Sequence, residues 1–166
     1  RDKNILFIAA AGNESNNNDA KTTYPAGYKL ENVMAVAATD NKDVMASFSN
    51  YGKTTVHLAA PGVNVYSTVP GNKYATFSGT SMACPHVAGA AAVLWSLNKD
   101  FTFAQIKERL IKTATPVAGL KNKTVAGGRL NLFNAVTGKN TAPSEPSGWK
   151  SVNKIVESKH PYDNSA

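Results

Sequence analysis

At 166 residues the chain is long enough for one ordinary domain with its own core, and 42% apolar against 17% charged residues marks it as globular rather than disordered. The formal charge of +7 is spread thinly: residues 1–138 hold 14 Lys and Arg against 8 Asp and Glu with no run of like charge, which excludes tracking along a nucleic acid backbone. No run of 18 apolar residues exists to cross a membrane, and the lone cysteine, Cys84, forbids a disulfide within the chain.

Residues 5–11, ILFIAAA, form a continuous apolar run that predicts a fully buried strand of a parallel sheet, ended by Gly12 and Asn13. A polar stretch over 15–23 predicts an exposed loop, followed by Tyr24-Pro25-Ala26-Gly27. Residues 33–38 and 56–60 predict two more buried strands, and Pro70-Gly71-Asn72 between 63–68 and 74–78 predicts a hairpin. The hairpin delivers the chain to Gly79-Thr80-Ser81, whose hydroxyls suit the entry to a helix because they can accept from amides of the first turn. Pro85 fits near such a start, and the residues from Val87 to Leu97 leave no polar face, which predicts a helix buried on all sides.

Thr102 with Gln105 makes a capping box and Phe101 with Ile106 a hydrophobic staple, so an amphipathic helix follows. Phe103, Ile106, Leu110 and Ala114 share its inner face, with Lys107, Glu108 and Lys112 outside. Residues 1–138 read as one folded unit, 139–154 as a Pro- and Ser-rich linker, and 155–166 as the start of a further domain or a disordered end.

A serine at the mouth of an apolar helix sits in the positive end of the macrodipole beside amides that no intrahelical partner satisfies. An attacking hydroxyl can be held there and an oxyanion received; the plain alternative is that Ser81 or Thr80 only caps the helix. The string Gly79-Thr80-Ser81-Met82-Ala83-Cys84-Pro85-His86-Val87-Ala88-Gly89 resembles the nucleophile motif of the subtilisin-like serine proteases. Ala9-Ala10-Ala11-Gly12-Asn13-Glu14-Ser15 resembles the segment of that family whose asparagine helps to form the oxyanion hole, here Asn13, although alone Asn13 would pass as a turn residue. Ala10, Ala11 and Gly12, with Thr23 and Tyr24, stand where the family lines its primary specificity pocket, and Gly79 and Thr80 complete the substrate-binding set. Small residues there leave room for a large apolar substrate side chain. Ala60-Pro61-Gly62 and residues 127–136 also match the family, so the resemblance runs from about Ile5 to Val136.

The resemblance implies an α/β, three-layer subtilisin-like fold with a mainly parallel sheet, only its C-terminal portion present. It implies a secreted endopeptidase that cleaves polypeptides through an acyl-enzyme on Ser81. Such a serine needs a base and an orienting carboxylate. His86, five residues along the same helix, cannot bend back to Ser81; His57 lies within a strand pattern, and His160 lies beyond the linker. No aspartate carries the family's pattern either, so the acid and base are expected in a missing N-terminal half of the catalytic domain, and this chain alone is expected to be inactive. A non-catalytic half-domain or degenerate protease kept for peptide binding is the alternative. Relatives often bind calcium, but no acidic cluster here has ligand spacing, so no metal residue is named. Cys84, three residues after Ser81, reads as a small buried hydrophobe.

Overall fold

The computed structural model describes residues 2–138. The linker and the segment 155–166 lie outside the described residues. Five strands form one sheet in the order β1-β2-β3-β7-β6, where β1 is Phe7–Ala10, β2 is Val33–Thr39, β3 is Leu58–Pro61, β6 is Thr115–Pro116 and β7 is Gly128–Arg129. The first four neighbours pair in parallel and only β6 runs against β7, so the sheet is mainly parallel, as expected.

The strand β2 is buried at every position, in keeping with its unbroken apolar run VMAVAA before Thr39 at the middle of a covered sheet. Its alternate residues feed two separate cores. Met34, Val36 and Ala38 join Leu58, Ala60, Ala83, Val87, Leu94, Ile106 and Leu110, whereas Ala35 and Ala37 join Ala11, Ala26, Val56, Ala59 and Leu120. The first core lies under α1 (Thr80–Leu97) and α2 (Phe103–Lys112), and the second under loops from 11–30 and 117–126. The hairpin of β4 (Val65–Val69) and β5 (Lys73–Phe77) stands apart as a two-stranded antiparallel ribbon. A short α3 (Leu132–Thr137) closes the unit.

The capping box of α2 forms as predicted, with Thr102 accepting from Gln105 N and the Gln105 side chain accepting from Thr102 N. One expected outward residue differs: Lys107 is half-buried and its Nζ donates to the carbonyls of Glu31 and Val33, tying α2 to the entry of β2. The larger departure is α1. Thr80, Ala83, Val87, Ala90, Ala91 and Leu94 are buried, but Pro85, His86, Ala88, Gly89, Ala92, Val93 and Leu97 are exposed, because no described element lies over that side. No helix among the described residues is long and apolar enough to cross a membrane.

Candidate active site

The entry to α1 is held by a residue 67 positions away rather than by its own hydroxyls. The chain leaves β5, donates Gly79 N to Gly62 O at 2.7 Å, and turns into the helix with Gly79 as N-cap and no side-chain cap hydrogen bond. Thr80 N, an orphan of the first turn, donates instead to Asn13 Oδ1 at 2.9 Å. The Thr80 hydroxyl also donates to Asn13 Oδ1 at 2.9 Å and accepts from Gly12 N at 3.2 Å. The expected local cap is thus replaced by a clasp between the end of β1 and the start of α1, and fully buried Thr80 is its pin.

The clasp fixes which end of the Asn13 amide is which, since a backbone N–H can only face the oxygen. Asn13 Nδ2 is therefore turned toward the helix mouth. A β-carbon placed on Gly79 would lie 3.6 Å from Asn13 Nδ2 and 3.7 Å from Ser81 N, so the two donors converge on the space beside that glycine. Met82 N is bound to Gly79 O, and Ser81 N has no hydrogen-bond partner among the described residues. Two neutral nitrogen donors and the positive end of an 18-residue helix border one space, an arrangement whose chemistry suits a developing negative charge. Ser81 is exposed at its rim.

Neither described histidine is hydrogen-bonded to Ser81. His86 Nδ1 lies 2.8 Å from Met82 O on its own helix. His57 lies just before β3, where its Nδ1 accepts from Ala35 N at 3.0 Å, so the ring proton sits on Nε2. That ring lines a cavity of about 370 Å³ with Tyr28, Leu30, Thr54 and Thr55. Burial, aided by the charge of Lys107, lowers its pKa to about 4. Half-buried Cys84 donates from Sγ to Ile8 O at 3.4 Å, and burial pushes its thiol pKa up, away from nucleophilic use.

Of the expected pocket residues, Ala10 ends β1, half-buried, and Gly12 follows at φ 112, a left-handed conformation that glycine accepts readily. Ala11, alternating to the other face of the strand, points its side chain into the second core, and its carbonyl is taken by buried amides behind the site. Thr23 is drawn into a hydrogen-bond network, whereas Tyr24 is 63% exposed with its ring 4.8 Å from that of Tyr28. The residues that sequence reasoning missed are Asn18 and Asn50, buried polar side chains behind Gly12 and Asn13. Both donate to Ala11 O, at 2.9 and 3.1 Å. Asn50 lies in Ser47-Phe48-Ser49-Asn50-Tyr51-Gly52, a segment that also resembles the family, whereas Asn18 is legible only as part of the polar loop after Asn13.

No group of three or more His, Cys, Asp or Glu that could hold a metal ion occurs among the described residues. The Asp19 carboxylate accepts from the hydroxyls of Thr54 and Thr55, at 2.8 and 2.7 Å.

The profile of the subtilase family matches residues 1–149. Over 136 residues the chain is 48% identical to the thermophilic serine proteinase of Bacillus sp. strain AK1, covering 81% of this chain and 31% of that protein. It is 44% identical to the M-protease of Shouchella clausii over 135 residues, with 81% and 33% covered. Subtilisin-like protease 2 of Plasmodium falciparum is 38% identical over 138 residues, with 81% and 10% covered. Among solved structures, the prenylagaramide maturation protease PagA superposes with a TM-score of 0.70 at 31% identity, covering 82% of this chain and 51% of that one. The chain spans between a tenth and a third of the length of these curated relatives.

Proposed function

This chain belongs to the subtilase family, and we propose on that footing that it carries the nucleophile and oxyanion receptor of a serine endopeptidase. Ser81 Oγ attacks the carbonyl carbon of a peptide bond. As the general base takes the Ser81 hydroxyl proton, the carbonyl oxygen becomes an oxyanion facing Asn13 Nδ2 and Ser81 N–H; collapse then expels the amine, which takes that proton from the base, and leaves an acyl-enzyme that water hydrolyses. The observation that carries this is the convergence of Asn13 Nδ2 and Ser81 N on the space beside Gly79.

The general base and its orienting carboxylate come from outside residues 2–138, in the remaining half of the catalytic domain. His57 and His86 support this by being committed to Ala35 N and set against Met82 O. The uncovered apolar side of α1 supports it too, since that side and the open edge of β1 offer a partner half a surface to bury. The substrate is a polypeptide whose side chain lies along Ala10 and Gly12 and toward Thr23 and Tyr24, beside Gly79 and Thr80. The protein acts outside the cell.

A serine-directed fluorophosphonate tests the proposal. Applied to the catalytic domain that contains this chain, it is expected to form one adduct, mapped by mass spectrometry to Ser81 and absent in Ser81→Ala. A domain that hydrolyses no peptide and takes no label would instead identify a degenerate protease retained for binding.

A further inference from the structure

Asn50 is fully buried in the loop between β2 and β3, yet it makes more hydrogen bonds to the Asn13 segment than any residue of that segment makes to itself. Its Oδ1 accepts from Glu14 N and Asn16 N, both at 2.9 Å, and its own backbone N donates to Gly12 O at 2.9 Å. Two amide donors on Oδ1 turn Nδ2 the other way, where it lies 3.1 Å from Ala11 O, 2.8 Å from Glu14 Oε2, 3.2 Å from Asn18 Oδ1 and 3.3 Å from Thr23 Oγ1. One side chain therefore grips the chain on both sides of Asn13. It also excludes any side chain at Gly12, whose β-carbon would come within 2.3 Å of Asn50 Nδ2.

Asn13 itself is held to the protein through Oδ1 on Thr80, which fixes its amide plane but not the path of the backbone that carries it. Ser15 N, donating to Phe48 O at 2.9 Å, and Asn16 O, accepting from Tyr51 N at 3.0 Å, hold that path at single points, and Asn50 is the one side chain that grips it on both sides of Asn13. We propose that Asn50 is a positioning residue for oxyanion stabilisation, acting through Asn13 by locking the backbone of residues 11–16 so that Asn13 Nδ2 meets Ser81 N at one point. This rests on the function proposed above.

The test is a double-mutant cycle in the complete catalytic domain, with rates expressed per Ser81 titrated by fluorophosphonate so that misfolded molecules drop out. Asn13→Ala is expected to lower kcat about 10²- to 10³-fold, the figure being one measured in a member of this same family. Asn50→Ala is expected to lower kcat about 10- to 100-fold, the scale of a small misplacement of a catalytic group. The double variant is expected to match Asn13→Ala alone within about threefold, because Asn50 has nothing left to position. Asn50→Ser leaves a neutral hydroxyl and brings no charge beside Glu14, and runs through the same cycle as a second, less disruptive variant. Effects that multiply, an unchanged kcat, or a loss confined to KM would overturn the inference while leaving the proposed function standing. A wild-type domain that takes no label would sink both.

Discussion

The two sides of α1 are built from similar residues and differ in everything around them. The inner side places Thr80, Ala83, Val87, Ala90, Ala91 and Leu94 against β1, β2 and β3, and its first turn is clasped by Asn13. The outer side presents Pro85, Ala88, Ala92, Val93 and Leu97 with nothing described above them. On the inner side part-buried hydrogen bonds hold Asn13 against Thr80, whereas on neither side is a described histidine hydrogen-bonded to Ser81. On the proposed function, stabilising charge and moving protons are assigned to separable parts of the site, the first lying within residues 2–138.

The largest expected effect on stability is acid sensitivity of the sheet at His57, which is set against Ala35 and near Lys107 of α2. His57 is ordinarily half-protonated near pH 6.5 but is held neutral to about pH 4 by burial and by Lys107. The unfolded chain therefore binds the extra proton first. Stability is full above about pH 6.5 and is lost as pH falls toward 4, by at most roughly 3 kcal/mol. Urea unfolding at stepped pH should show this slope in the wild type and its absence in His57→Asn, which keeps an acceptor for Ala35 N; equal slopes would exclude His57 as the cause.

A smaller effect probes the outer side. Leu97 is 61% exposed, and a change at such a position normally alters stability by less than about 0.5 kcal/mol. If the remaining half of the catalytic domain covers this side, Leu97→Ser in the complete domain should cost about 1.5 kcal/mol or more. A value inside the smaller limit would mean that the outer side stays open to solvent.

Much of this was legible because it is local. The unbroken run at 33–38 and the Thr102–Gln105 pair each carry their physics within a few residues, and they appear as β2 and the cap of α2. The motif around Ser81 led to the family, and the mainly parallel sheet followed. What was not legible depends on distance or brevity. The cap of α1 comes from Asn13, and Asn50 reaches Ala11 across 39 positions, so neither leaves a periodic trace. The strands β6 and β7 have two residues each, too few for any alternation to register. An apolar residue such as Val93 or Leu97 has the same composition whether covered or not, which is why the outer side of α1 was expected to be buried.

On the proposed function, Asn13 Nδ2 and Ser81 N serve one oxyanion in the space beside Gly79. Gly79→Ala tests it most directly, because the added methyl would meet Asn13 Nδ2, Ser81 N and Met82 Sδ at 3.6, 3.7 and 3.8 Å, ordinary contact for folding, while filling the space itself. The measurement is the affinity of the complete catalytic domain for a peptide boronic acid, whose tetrahedral adduct on Ser81 presents an oxygen to that space. The account predicts a loss of about 100-fold in affinity with about 1 kcal/mol or less of lost stability. An affinity unchanged within about threefold would contradict it.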